Sequence, residues 1–325
     1  MSGKKIVLIG AGAWGKNHLK NLQNMGVLHS VLETSATVTA QRRKEFPEVA
    51  FTREEGEILD NENVSAAVIC APAALHHEIA RKCLAAGKDV LVEKPLALRY
   101  REGKELVALA ERGKRILMVG HVLQYHPAVV RLKELVDDGD LGEIRYIYSN
   151  RLNIGKLRAE ENVWWSFAPH DISLILRLLD DEMPARVAAF GGNYINDGVA
   201  DTTLTNLDFV SGVKAHIFVS WLHPFKEQKL VVVGSRQMAV FDDVAAQKLT
   251  LFPHKVDFTP ERIPVVHKAE SVAVQTDAAE PLLQELRHFV ECLDSRRTPL
   301  TDGKEGLRVL QVLEMAQKSL EEKSR

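Results

Sequence analysis

What this sequence lacks already narrows its function. Only three of its 325 residues are cysteine, Cys70, Cys83 and Cys292. The number is odd and no spacing suits a metal or a redox pair, which excludes a disulfide framework or a zinc ribbon. Cys70 and Cys83 fit small buried apolar side chains of a reducing compartment, so a cytoplasmic protein is expected. The first apolar strand begins roughly five residues from Met1, which leaves no room for a signal peptide. No uninterrupted apolar run approaches the ~18 residues that span a bilayer. Charge of one sign is lacking too: 42 Lys and Arg against 44 Asp and Glu give a net −2. Neither nucleic acid nor an anionic membrane has an electrostatic reason to bind. The short basic runs Arg42-Arg43-Lys44 and Arg296-Arg297 are flanked by acids and read as solvated surface.

Hydrophobic content of 46% and charged content of 26% are those of a globular protein long enough for two domains. Over the first 120 residues short apolar strands alternate with helices: Lys5–Ile9, a helix from about Trp14, Val27–Glu33, Ala66–Cys70, a helix over Leu75–Ala86, Asp89–Val92 and Ile116–Val119. Continuous apolar strands of this kind belong to a parallel sheet covered on both faces. After Gly120 the pattern changes. Val213, Ala215, Ile217, Val219 and Trp221 alternate with Lys214, His216, Phe218 and Ser220, a period of two. Leu230–Val233 and Met238–Phe241 read as a hairpin. Asp302 with Glu305 resembles a capping box ahead of a helix striped with Leu310, Leu313, Ala316 and Leu320. The expected fold is therefore an α/β Rossmann domain (1–120) with a doubly wound parallel sheet. An α+β domain (121–325) with a large open, mostly antiparallel sheet follows.

Gly10-Ala11-Gly12-Ala13-Trp14-Gly15 lies between the first strand and the first helix. In this setting the first glycine permits the tight turn, the second admits a pyrophosphate and the third lets helix and strand pack closely. The helix N-terminus then faces the phosphates with unpaired N–H groups. Glu33, at the end of the second strand, stands where an acid accepts hydrogen bonds from the adenosine ribose. A carboxylate there repels a 2′-phosphate, which favours NAD over NADP.

Glu93-Lys94-Pro95 closes the strand Asp89–Val92 and puts an ammonium group where such a sheet presents ligand. With the glycine turn, Ala71-Pro72, His76, Ala80, the run Ala86–Leu96, Gly120-His121 and Pro127, it resembles the glucose–fructose oxidoreductase, inositol dehydrogenase and rhizopine-catabolism family (Gfo/Idh/MocA) over nearly the whole chain. The resemblance implies oxidation or reduction of a sugar or cyclitol hydroxyl with a nicotinamide cofactor. It implies cofactor contacts from Ala71, Pro72, His76, Glu93 and Lys94, and oligomerisation through the second-domain sheet as a homodimer or homotetramer. Lys94 falls on the family's catalytic lysine, and an ammonium there stabilises developing alkoxide charge. His170 falls on its catalytic histidine, the general base for alcohol oxidation. Ser166 stands where the family has an aspartate, and it supplies a hydrogen bond but no charge. Asp171 lies one step round the helix from His170 and is expected to compensate the helix dipole. For His76, contact with the cofactor and packing at a helix start both stay open. His76-His77 is not a metal pair, since adjacent helical residues diverge, and no metal is expected.

Arg151–Asn153 through Arg158, Asn162–Trp165, Ala168–Ser173 and Ser220–Pro224 resemble the nucleotide-sugar 3-dehydrogenase branch, which oxidises C3 of a UDP-N-acetylated (uronic acid) sugar in surface-polysaccharide synthesis. This implies substrate contacts from Arg151, Asn153, Arg158, Trp165, Ser166 and His170 beside Lys94, with Lys156 a further candidate cation. Arginine suits bidentate contact with a carboxylate or diphosphate, and a solvated loop cation is the competing reading for each. Trp164 and Trp165 suit either stacking on a sugar or base or ordinary core packing. Three other functions stay open: a free-sugar or inositol dehydrogenase, an NAD-dependent glycosidase, and a non-catalytic NAD-binding regulator.

Overall fold

The structure is a computed structural model that describes residues 5–155, 157–158 and 161–323, so Lys156 lies outside the described residues. Two compact units emerge. One comprises the chain up to Val122 with Glu280–Gln311, the other Leu123–Ala279 with the chain from Val312. Residues 280–311 thus belong with the first unit, whereas the change of pattern near residue 120 had placed everything after it in the second.

In the first unit β1 (Ile6–Ile9), β2 (Leu28–Leu32), β3 (Phe51–Thr52), β4 (Ala66–Ile69), β5 (Asp89–Glu93) and β6 (Leu117–Gly120) form one sheet. Its order is β3-β2-β1-β4-β5-β6, and every pairing is parallel. The connections carry α1 (Gly15–Asn24), α2 (Ala36–Glu45), α3 (Gly56–Leu59), α4 (Ala73–Ala85) and α5 (Tyr100–Gly113). Strands β1, β4, β5 and β6 are buried at every position, which is why they read as unbroken apolar runs. The strand order reverses between β1 and β4. Sheets of this type bind ligands outside the carboxyl ends of the strands at that point.

The second unit contains α6 (Pro127–Asp137), β7 (Ile144–Leu152), α7 (Val163–Leu178), β8 (Arg186–Gly192), β9 (Thr202–Asp208), β10 (Lys214–Ser220), β11 (Glu227–Gly234), β12 (Met238–Asp242), β13 (Leu249–Phe252), β14 (Lys255–Phe258), β15 (Pro264–His267) and β16 (Val272–Ala273). Eight of these strands make a sheet in the order β16-β13-β12-β11-β7-β10-β9-β8. Its pairings are antiparallel except that of β10 with β7. Strands β14 and β15 pair as a separate hairpin. One face, with Ile147, Ala215, Ile217, Val219 and Ala239, is buried, and α6 and α7 pack on the sheet. The period-two pattern across β10 forecast this. On the other face Tyr146, Tyr148, His216 and Phe218 are half-buried, while Phe190 and Leu204 are exposed.

Helices α8 (Pro281–Ser295) and α9 (Gly303–Lys323) follow. The first packs against α1, and Asn21 Nδ2 donates to Glu280 Oε1 at 3.0 Å. Asp302 caps α9 as its spacing suggested, its Oδ1 accepting from Glu305 N at 2.8 Å. No described helix is long and apolar enough to cross a membrane.

Candidate active site

The chain leaves β1 through Gly10–Gly15, and α1 starts from it. Gly10 has φ +89°, and a Cβ there would meet Cys70 O at 2.9 Å. A Cβ on Gly15 would lie 2.2 Å from Gly10 O, which shows how closely turn and helix pack. Nothing lies within 4 Å of a Cβ built on Gly12, and Ala13 beside it is exposed. That open backbone and the start of α1, which no side chain caps, fit a pyrophosphate. Glu33 braces the same turn: its Oε2 accepts from Ala11 N at 2.8 Å and its Oε1 from Ser35 N at 2.8 Å. Each oxygen keeps a lone pair for a ribose hydroxyl. Arg42 departs from the solvated surface expected of its basic run. It is buried, and its Nε donates to Ala11 O at 2.8 Å and its Nη2 to Gly12 O at 3.3 Å. Nothing local in the sequence signals this clamp, which joins α2 to the turn.

At the tip of β5 the buried Glu93 gathers several donors. Its Oε1 accepts from Trp14 Nε1 at 2.5 Å and faces His18 Nε2 at 2.8 Å, and its Oε2 accepts from Lys94 N at 3.2 Å. Burial alone would raise its pKa, but His18, Trp14 and Lys94 hold it below the usual carboxylate value. Glu285 on α8 has the opposite fate. It is fully buried with no partner for either oxygen among the described residues, so burial and then the charge of Glu93 push its carboxyl well above the ordinary value. The Cys70 thiol is also driven up, by burial, Glu93 and Glu285. His18, Cys70 and Glu93 place a nitrogen, a sulfur and a carboxylate oxygen within 4.8 Å of one another. Within it, Glu93 Oε1 is already engaged by His18 and Trp14.

Lys94 follows directly, half-buried, and its peptide to Pro95 is cis. Ala71 and Pro72 lead from β4 into α4, with Pro72 exposed. For His76 the structure favours packing. The ring is buried, with Nδ1 2.7 Å from Pro95 O and Nε2 2.8 Å from Ala71 O. It therefore links the backbone beyond β4 to that beyond Lys94. Burial lowers its pKa against the pull of those two carbonyls.

In the second unit α7 carries the other candidates. Asn162 caps it, accepting from Trp165 N at 3.2 Å. Trp164 and Trp165 are both buried. The Nε1 of Trp164 donates to Leu313 O at 3.1 Å, and that of Trp165 to Gln317 Oε1 at 3.2 Å, so both tryptophans pack against α9. Ser166 is buried and His170, one turn on, is half-buried on the same face of the helix. Pro169 precedes His170 and has no N–H to offer Trp165 O. Asp171 is not a simple dipole-compensating acid. It takes Arg151 bidentately (Nε to Oδ2 2.8 Å, Nη2 to Oδ1 3.1 Å) and also accepts from Ser149 Oγ at 2.6 Å. Arg151, for which substrate contact and a solvated loop were both open, is thus a buried tie between β7 and α7. Asn153 sits just beyond β7, its N–H donating to Ser220 O at 3.1 Å. Arg158 is exposed and pairs with Glu161 at 2.7 Å.

Comparison with known proteins places this geometry. The oxidoreductase family with an NAD-binding Rossmann fold (GFO_IDH_MocA) matches residues 4–121, and the GFO/IDH/MocA C-terminal domain matches residues 129–240. The UDP-N-acetylglucosamine 3-dehydrogenase of Acidithiobacillus ferrooxidans is 27% identical over 93% of this chain and 93% of its own length. Its solved structure superposes with a TM-score of 0.85 over 98% of this chain and 97% of that one, at 24% identity. The myo-inositol 2-dehydrogenase of Thermotoga maritima is 23% identical over 98% of this chain and 97% of its own. The scyllo-inositol 2-dehydrogenase (NAD(+)) of Bacillus subtilis is 24% identical over 91% and 88%. With both domains matched and a glycine turn shaped for the cofactor, this chain belongs to the GFO/IDH/MocA family of NAD-binding oxidoreductases and acts on a sugar or cyclitol hydroxyl.

Proposed function

We propose that the chain oxidises the C3 hydroxyl of a UDP-N-acetylated sugar, a uronic acid included, with NAD. The observation that carries the chemistry is Lys94, an ammonium group set directly after β5 on the edge of the sheet where ligand binds. When bound, the nicotinamide supplies the hydride acceptor. Lys94 stabilises the alkoxide as it develops, and His170 takes the hydroxyl proton. Ser166 offers a hydrogen bond without charge, so Lys94 bears more of the charge handling than it would beside an aspartate. Arg158 and Asn153 suit the diphosphate or carboxylate of the substrate. Arg151 contributes indirectly, by holding Asp171 and with it the turn of α7 next to His170. The partly exposed aromatic and apolar face of the second sheet supports assembly into a homodimer or homotetramer.

The nucleotide-sugar reading rests on the runs around Arg151–Arg158 and Asn162–Ser173 and on the similarity to the A. ferrooxidans enzyme. Inositol dehydrogenases match at similar identity and support a second reading, a free cyclitol or sugar as substrate. A panel of UDP-N-acetylglucosamine, its uronic acid, myo-inositol, scyllo-inositol and glucose, followed by NADH absorbance, separates them. Turnover of a free cyclitol with none of either UDP-sugar overturns the first reading. NAD binding without turnover of any panel member favours the regulator. Lys94→Ala should cut turnover about 10²–10³-fold while NAD still binds; survival of full activity removes Lys94 from the chemistry.

A further inference from the structure

Trp14 lies in the glycine turn and is 46% exposed, yet its indole N–H is committed to a buried acid on another strand. Glu93 receives that bond, and His18, buried on α1, meets the same carboxylate oxygen. Trp14 and His18 are also edge to face, with ring centroids 6.1 Å apart. The strand order β1-β4-β5 puts β4 between the turn and Glu93. A bond from one to the other crosses two inter-strand spacings, about 10 Å. The indole therefore spans the carboxyl end of β4, where Cys70 Sγ lies within 4.8 Å of the His18 and Glu93 ligand atoms. This is the crevice in which a doubly wound sheet receives its dinucleotide. Glu33 marks the adenosine end of it at β2, so the span toward β5 is the nicotinamide end.

A tryptophan with its polar edge anchored and its ring partly open is suited to a flat partner ring. We propose that Glu93 is a positioning residue: its bond to Trp14 sets the indole as a platform for the nicotinamide half of NAD, and His18 holds Glu93 in place. The inference rests on NAD binding at this turn and is independent of the role given to Lys94. A purely structural Glu93, serving only the backbone of Lys94, would have no need of Trp14.

The test is a double-mutant cycle on NADH affinity, read by titration of reduced-nicotinamide fluorescence with wild type, W14F, E93L and W14F/E93L. Each single substitution should weaken NADH binding on the order of tenfold, the worth of one charge-assisted hydrogen bond. The double variant should be no weaker than either single one. Glu93→Gln keeps an oxygen for the indole N–H but gives up the charge and sets an amide NH2 toward Lys94 N, so its loss should be smaller than that of E93L. Energy transfer from tryptophan to bound NADH should fall sharply in W14F, and in E93L at saturating NADH. Losses that multiply in the double variant overturn the proposal, as does an E93L protein with unchanged affinity. If E93L does not fold, an unchanged affinity in W14F overturns it. A wild-type protein that fails to bind NADH overturns the cofactor site itself and this role with it.

Discussion

Replacing Glu285 with glutamine should make the protein more stable relative to wild type as pH rises. In the fold this carboxyl is fully buried with neither oxygen bonded, and burial and the nearby charge of Glu93 raise its pKa from the ordinary 4.5. In the unfolded chain it ionises near that ordinary value. Its contribution is therefore fully present below pH 4.5 and is lost as pH rises, until the folded carboxyl itself ionises. While the unfolded state has ionised and the folded state has not, wild type loses ~1.4 kcal/mol of stability per pH unit from this group. Glutamine does not titrate, and every other ionisable group is common to both proteins. The difference in unfolding free energy, E285Q minus wild type, should thus grow with that slope as pH rises above the ordinary value. Urea unfolding of both proteins across a pH series measures it. A fixed offset from the glutamine amide does not matter, because the slope is the readout. A difference that stays flat with pH would mean that Glu285 is ionised in the fold, and the reasoning fails.

Four further outcomes follow from the geometry. Gly12→Val should leave the fold intact, since the space around its Cβ is open, but abolish NAD binding. Gly15→Ala forces a carbon against Gly10 O and should destabilise the first unit by about 1–3 kcal/mol or more; thermal unfolding with and without NAD distinguishes the two. Asp171→Ala strands a buried guanidinium and should cost about 3–5 kcal/mol in chemical denaturation, whatever the substrate. Leu204→Lys with Phe190→Asp should lower the oligomeric state seen by light scattering, whereas unchanged mass would remove the open face of the second sheet from any subunit contact.

Features set by short-range chemistry were legible in the sequence. Strands β1, β4, β5 and β6 of the parallel sheet are buried on both faces, so each appears as a compact apolar run. The glycine turn needs particular backbone angles and close approaches, and few residue types provide them. Asp302 and Glu305 are one helical turn apart, so their cap is visible locally. Pairings made by tertiary register were not. Trp14 and Glu93 meet only because β5 lies two strands from β1, and Arg151 finds Asp171 only because α7 lies on β7. The run around Arg42 shows the same limit: its charges predict solvent, but one guanidinium is turned inward onto the backbone carbonyls of the turn. Trp164 and Trp165 suited ligand or core equally in sequence, and α9 claims both.

The return of residues 280–311 to the first unit bears on how the protein is made. A nascent chain that has emerged as far as Val122 contains the whole parallel sheet but lacks α8 against α1. It lacks the Thr301 bonds to Val119 and the Glu305 contact with His121. Asp89, at the start of β5, also still awaits Arg296. The cofactor half is therefore begun first on the ribosome and completed only after the entire second sheet has been synthesised. A fragment ending near residue 120 would be a nascent intermediate in this sense, its sheet complete but α8 and the Thr301, Glu305 and Arg296 contacts still missing.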